Sequence, residues 1–530
     1  MAVTTSVPIL LSDLPEDTGL EQEVAEAWGQ KNGRWIGKIL DQHDAWLREN
    51  NIEEYQKAYD GYIEEIEKRD KDRGDGINNK LIANYAQLIV DTVVDYMIAQ
   101  APTFKVEDPV QVEDPEADEA DIVKEYRQVI KDYLGTTKAH RILKEQLTQG
   151  SLAAYSCIIH WIEPDGTIDF EEYPVQEVIP VYNTKNRRAL VLRAYDIEVP
   201  VDSEAGIKLE TRKRVEVYDD KYVTWYISDK TGKKFELEDV EEGKNNPFPH
   251  YAGRIPVSIF NNGKPANYKD RLKNVGKSDL SNGAYSLIKD ISHKLSDKSN
   301  LAEYLMDQYL LLKGVDTDEE EVQKMRKARA LALKNSDSDA AFISQDQDDT
   351  TTKNYMDRLV NTLHDTTFTP NLSNLEGKTA YEIKMKFANL DIKAGKKEIY
   401  FIEAIMETVA IITDLLNADK LKEAGIAEEE IHSILAGKTE TEVELYKSEW
   451  VSPSLTRNIP QDYQAVSTIV ATLAGKVPDK YLYELLWFVD DPKKALAEMK
   501  EQRKEKLEEN MGAMGFGNEF TDLEGQNTEE

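Results

Sequence analysis

The stretch from Thr350 to Asn417 constrains this chain more than any other. Its apolar spacing fits a helix, a short break and a much longer helix. Met356, Leu359, Val360 and Leu363 recur three and four residues apart, so the first helix has one apolar face. The break from Thr369 to Lys378 holds Pro370, Gly377 and small polar residues, which is loop chemistry. Ile383, Phe387, Leu390, Ala394, Phe401, Ile405, Val409, Ile412 and Leu416 then carry the pattern through the second helix. Gly395 sits in its middle, where glycine costs about 1 kcal/mol relative to alanine. Such a pair could project its polar tip into an open space or lie on a surface as an ordinary helix–loop–helix. Spacing alone does not choose.

A chain of 530 residues is too long for one core, and its hydrophobic content of 40% is enough to bury several. The 66 basic residues face 100 acidic ones, a formal charge of −34. That argues against a protein coated by nucleic acid, since such binders need a basic face. It leaves open a protein that lets DNA pass without gripping it. Cys157 is the sole cysteine, so no intramolecular disulfide forms and a reducing compartment fits. The N-terminus lacks the basic n-region of a signal peptide, and no run approaches 18 uninterrupted apolar residues. The expectation is a soluble intracellular protein with no membrane partner.

Residues 1–20 read as loose and 20–71 as helical, with Trp35, Ile36 and Ile39 among the apolar positions. Ile82, Tyr85, Ile89, Val93, Tyr96 and Met97 line one face of a buried helix that stops before Pro102. Two more helices are expected between Asp114 and Gly150. Then the period changes. Residues 156–162, 167–173, 175–181 and 189–199 are β-rich, with a hairpin signal at Pro164, Asp165 and Gly166. Residues 214–218, 222–227, 234–237 and 255–260 extend an antiparallel sheet packed on the preceding helices. Helices return at 279–304 and 353–367. Between them, strands at 308–312 and 340–344 flank a charged helix at 316–329, a stalk with a head. After Asn417 we expect a helical acidic stretch, a strand at 442–450 and helices over 460–509.

Catalytic motifs are missing. Gly276-Lys277-Ser278, Gly377-Lys378-Thr379 and Gly437-Lys438-Thr439 resemble the end of a phosphate-cradling loop. The earlier glycine that such a loop needs is Arg271, Leu372 or His432 instead, and none follows a strand. The seven histidines show no metal spacing, and Asp337, Asp339, Asp346, Asp348 and Asp349 lack the glycine and glutamate of a calcium loop. No enzyme, cofactor or metal is indicated.

Four places in this order resemble the portal proteins of tailed bacteriophages, in the long-tailed phage portal family of Gram-positive hosts. The first is Asn78 to Tyr96 with Pro102 following. The second is Gly253 to Val257 with Asn261 and Asn262, leading into Ser278, Asp279 and Leu280. The third runs from Thr369 to Lys386 and continues through Leu390, Lys396, Lys397 and Glu398. The fourth is Thr472 to Asp479, with Leu482, Asp491 and Pro492. Together they span residues 77–505.

The resemblance implies an α+β, mostly helical fold of portal architecture: an α+β wing, a two-helix stem, a small α/β clip, a long wing helix and a helical crown. Mapped onto this chain, 1–76 is an N-terminal helical extension without a match and 77–265 the wing. Residues 266–305 carry the first stem helix, 306–349 the clip and 350–368 the second stem helix. Residues 369–379 form the tunnel loop, 380–445 the long wing helix and its connection, 446–510 the crown and 511–530 a disordered acidic tail. The implied assembly is a ring, typically of twelve subunits, at one capsid vertex of the virion, formed in the host cytoplasm. The implied partners are double-stranded DNA without sequence specificity, a terminase motor, capsid and scaffold proteins, and a head–tail adaptor.

The DNA-facing residues implied are Thr369, Pro370, Asn371, Leu372, Ser373, Asn374, Leu375, Glu376, Gly377 and Lys378. Lys384 and Lys386 are candidate lumen lysines, and Lys324, Arg326, Lys327 and Arg329 form a basic run in the clip. Family members often have a more glycine-rich tunnel loop with an aspartate after the proline. Here Asn371 follows Pro370 and Gly377 is the loop's one glycine. The alternative is a non-channel scaffold or adaptor that assembles through its helices.

Overall fold

The computed structural model describes residues 9–10, 33–70, 77–109, 120–182, 187–203, 206–239, 245–264, 276–281, 283–306, 309–313, 320, 339–343, 349–371, 380–458, 463–484, 495–502 and 504. They fall into two compact units, one from residues 1–377 and 385–458, the other from 378–384 and 459–530. The fold is mixed α+β and mostly helical.

In the first unit, β1 (Ile9–Leu10) precedes α1 (Arg34–Glu49), α2 (Ile52–Tyr59) and α3 (Glu64–Glu67). Helix α1 is amphipathic and buries Trp35, Ile36, Ile39, His43 and Trp46, three and four residues apart. Trp35 stands edge-on to Tyr226 and Trp46 leans on Tyr155. His43 Nε2 donates to the Val175 carbonyl at 2.7 Å. The segment set apart as an extension is thus packed onto sheet residues far along the chain. Ile9 and Leu10, in the stretch read as loose, pair in parallel with Val181 and Tyr182.

Helix α4 (Tyr85–Ile98) is capped by the Asn84 side chain, which accepts from the Gln87 N–H, and it buries Ile89, Val90, Val93 and Met97. It ends ahead of Pro102 and leads to β2 (Thr103–Val106), α5 (Asp121–Leu134) and α6 (Thr137–Ala153). The strands follow as β3 (Tyr155–Ile162), β4 (Ile168–Tyr173), β5 (Val178–Tyr182), β6 (Arg188–Ser203), β7 (Gly206–Tyr218), β8 (Tyr222–Ser228), β9 (Phe235–Leu237), β10 (Phe248–Pro249) and β11 (Val257–Asn261). One sheet runs β1-β5-β6-β7-β8-β10 with β9 also on β8, and a second runs β11-β3-β4. The β3–β4 turn sits at Gly166, whose φ of +87° suits glycine, as the Pro164-Asp165-Gly166 signal predicts. Gly150 of α6 lies so close to β11 that a Cβ there would meet the Phe260 ring at 2.3 Å.

Beyond the sheets come α7 (Ala284–Met306), β12 (Tyr309–Lys313), β13 (Asp339–Ile343) and α8 (Asp349–Thr367). Strands β12 and β13 pair antiparallel, Tyr309 opposite Ile343. The charged helix expected at 316–329 lies outside the described residues apart from Glu320. Helix α7 starts later than its apolar pattern. Ser278 and Ser281 close a turn first, with the Leu280 N–H donating to Ser278 Oγ at 3.1 Å.

Helix α9 (Ala380–Glu423) runs unbroken for 44 residues, roughly 66 Å at 1.5 Å per residue. Gly395 does not interrupt it. Then come α10 (Glu428–Leu435), a 3₁₀ turn at Ser448–Trp450 and β14 (Val451–Ser454), which pairs antiparallel with β2. The strand expected at 442–450 is not formed. Both backbone groups of Tyr446 bond the Asn417 side chain at 2.9 Å, which sews this segment to α9 instead of a ladder. In the second unit, α11 (Tyr463–Leu473) turns through Gly475 into α12 (Asp479–Glu484), and residues 495–502 are helical.

Candidate functional site

The site lies where α8 hands over to α9. Helix α8 ends in a tight polar cap. Phe368 takes a left-handed φ of +59°, and the Thr369 N–H returns to the His364 carbonyl at 3.1 Å. Thr367 Oγ1 donates to the Leu363 carbonyl at 2.7 Å, and His364 Nδ1 and Thr369 Oγ1 are 3.0 Å apart. His364, Thr367 and Thr369 are buried, while Phe368 is held outward at 41% exposure. A bulky residue at positive φ is strained, and the surrounding bonds keep it there.

Helix α9 answers with three lysines on one flank. Lys386 Nζ donates to the Asn371 carbonyl at 2.9 Å, and Lys393 Nζ donates to the Thr367 carbonyl at 3.0 Å. Lys397 Nζ reaches Asp279 Oδ2 at 2.6 Å and Ser151 Oγ at 2.7 Å. Lys393 also stands 3.5 Å from the Asp279 carboxylate. Asp279 and Lys397 are nearly sealed from solvent. Burial pushes the Asp279 carboxyl up, but Lys393 and Lys397 outweigh it and hold the group at about 2. Burial pulls the Lys397 ammonium down to about 8, against the attraction of Asp279. Asp279 is fixed in turn by Asn262 Nδ2 at 3.3 Å and by its own N–H donating to the Ser151 carbonyl at 2.8 Å. The handover is thereby tied to α6 and to the entry of α7.

Gly276, Lys277 and Ser278, one of the three phosphate-loop lookalikes, sit at this place for a packing reason. A Cβ on Gly276 would lie 2.2 Å from the Ala154 carbonyl oxygen and 2.5 Å from the Asn262 nitrogen, so only glycine fits. A cavity of about 470 Å³ opens beside it, lined by Lys277, Asp279, Thr367, Phe368, Lys393 and Lys396, among others.

Of the ten loop residues singled out from the sequence, Thr369, Pro370 and Asn371 are described. Thr369 is part of the α8 cap, and Asn371 Nδ2 donates to Asn361 Oδ1 at 3.0 Å. Leu372 to Lys378 lie outside the described residues, as do Lys324, Arg326, Lys327, Arg329 and the side chain of Lys384. Lys386 is half-buried on the Asn371 carbonyl. Lys393, Lys397 and Asp279 are not among the site residues that the sequence implies. A signal existed: Leu390, Ala394, Phe401 and Ile405 are buried, and Lys397 occupies the position that this apolar register leaves between 394 and 401. A lysine in an apolar register calls for a buried anion. The described histidines mostly donate to carbonyls. His43, His160 and His250 are pulled by burial to about 4.

Among the described residues no helix is long and apolar enough to cross a membrane. The sequence profile described as "Phage portal protein, SPP1 Gp6-like" matches residues 39–509. The portal protein of Bacillus phage SPP1 is 24% identical over 277 residues, covering 48% of this chain and 49% of that protein. The alignment thus spans about half the length of this curated relative.

Proposed function

The chain belongs to the phage portal protein family, SPP1 Gp6-like, and from that premise we propose that it forms a ring-shaped DNA channel at a unique capsid vertex. The ring serves genome packaging, motor docking, head–tail joining and DNA ejection, with a structural role and no catalysis of its own. What carries the reading is a family match that spans the wing sheets, the β12–β13 hairpin and the α8–α9 handover. In this reading α7 and α8 are the stem, β12 and β13 belong to the clip that meets the motor or adaptor, and residues 369–379 are the tunnel loop.

A conduit should let the duplex slide, because each neutralised phosphate adds salt-dependent affinity. A chain of charge −34 suits a wall that repels and centres DNA. Lys386, on the Asn371 carbonyl, steadies the loop base in this scheme, and Lys378 and Lys384 remain candidates for the lumen. Lys324, Arg326, Lys327 and Arg329 would face a neighbouring subunit or DNA leaving the clip.

Native mass spectrometry with negative-stain class averages tests the proposal. A ring of about twelve copies with a central hole is the expected result. If scaffold and capsid protein are added and only monomers, dimers or open filaments form, the channel reading fails and a non-channel adaptor takes its place.

A further inference from the structure

Helix α9 carries a second pattern that its packing does not use. Met385, Ile392 and Ile399 are seven residues apart and are 56%, 53% and 69% exposed. Met406, seven further on, is half-buried. An apolar residue repeated every seven positions forms a seam for an apposed chain, because it returns to nearly the same helix face after two turns. Isolated exposed apolar residues need no explanation, but an aligned row of them does.

The row borders a groove. The 470 Å³ cavity described above adjoins a second of about 460 Å³, and Lys264 and Tyr400 line both. Ile392, Ile399 and the outward Phe368 give the first cavity its apolar wall. Its cations are Lys264, Lys277 and Lys396, beside the Lys393–Asp279–Lys397 cluster. Among the described residues Lys264, Lys277 and Lys396 have no carboxylate partner. Arg188, Arg254, Glu403 and Glu407 line the second cavity, so the basic, apolar-walled part of the groove is the first cavity. On a chain of charge −34 that part is complementary to most of the rest of the chain. Exposed apolar residues that such a row could meet occur elsewhere on the same molecule. Leu81 and Leu88 are 44% and 45% exposed. A ring built head to tail needs two different patches on every copy, one complementary to the other.

We propose that the groove along Met385–Met406 is one half of the contact between subunits, and that it receives an acidic, apolar-studded surface of a second copy of this chain. The inference rests on the ring reading above and assigns that ring's contact to named residues.

Full-length wild type and an Ile399→Asp, Lys396→Glu double variant would be compared by mass photometry over a concentration series, with circular dichroism and melting curves as folding controls. The variant should keep the wild-type spectrum and melt, and its assembly should require a concentration higher by on the order of tenfold or more. In parallel, Ile399→Cys gives a single accessible thiol, because Cys157 is buried. A benzophenone attached there, in assemblies of mixed isotopically light and heavy chains, should give light–heavy cross-linked peptides. Assembly of the double variant at wild-type concentrations, or cross-links confined to one copy or to another protein, overturns the assignment and leaves the ring standing. A wild type that never assembles overturns both.

Discussion

Beyond Phe401, α9 is fixed mainly by apolar burial, with Glu407 on Arg188 and Asp414 on Arg254 at its edges. Phe401 meets Phe260 edge-on at 5.4 Å, and Ile405, Val409, Ile412 and Leu415 are fully enclosed. Between Met385 and Lys397 the same helix buries Leu390 and Ala394 and is held in addition by ammonium groups on carbonyls and on one buried carboxylate. Apolar contacts follow area and are non-directional, so the first stretch is a volume constraint. Charged hydrogen bonds are directional and depend on protonation, so the second is a set of geometric latches. The latched stretch adjoins the loop and the exposed seam, and the packed stretch adjoins the sheets. One continuous helix thus passes from a stretch dominated by its core to one in which directional charged bonds are added.

The largest expected effect comes from emptying the packed stretch. Phe401→Ala should destabilise the first unit by about 3–5 kcal/mol through lost burial and a residual cavity. Chemical denaturation with a probe in that unit measures it, and a cost under about 1 kcal/mol would break the claim that burial holds this half.

Next comes the central latch. Asp279→Asn leaves Lys397 buried without its counter-charge and should cost about 3 kcal/mol. Adding Lys397→Met to that variant should recover most of the loss, since an apolar residue of similar size suits the site better than a lone charge. A double variant no more stable than Asp279→Asn would count against electrostatic latching.

The two stretches should also respond to acid with opposite signs. Asp279 is held at about 2, below its ordinary 3.8, so its contribution is present above pH 4 and is lost as pH falls towards 2. Asp414, on the packed stretch beside Arg254, is pushed up by burial to about 6. Its folded form binds a proton before its unfolded form does, so stability gains as pH falls from about 6 towards 4. Unfolding midpoints of wild type, Asp279→Asn and Asp414→Asn across pH 2.5–7 separate the two. A smaller loss below pH 4 in Asp279→Asn, and a smaller gain between pH 6 and 4 in Asp414→Asn, are expected.

Lys386→Ala should cost about 1 kcal/mol, because its half-buried hydrogen bond to the Asn371 carbonyl is lost. Smallest of all on folding is Ile399→Asp, which should stay within about 0.5 kcal/mol of wild type, since the side chain is mostly exposed. A large loss there would mean that the seam is part of the monomer's own stability.

Much of this was legible beforehand where the information is local. The α8–break–α9 pattern, the Gly166 hairpin and the paired strands of the small insert follow from spacing and turn residues that act within a few positions. The β2–β14 pairing was not legible. Its strands are four residues each and carry no periodicity, and they are defined only by meeting across the chain. The packing of α1 onto Tyr155 and Tyr226 escaped for the same reason.

By itself the sequence determined the main helices, the Gly166 turn and most strands of the sheets, and it excluded a phosphate-cradling loop. Those properties depend on neighbours within one or two turns. Only the tertiary structure decided that Asp279, 118 residues away, neutralises Lys397, and that Ile392 and Ile399 stay outside. A charge's partner and a face's exposure depend on which distant segments meet, and apolar spacing marks a face without saying what covers it.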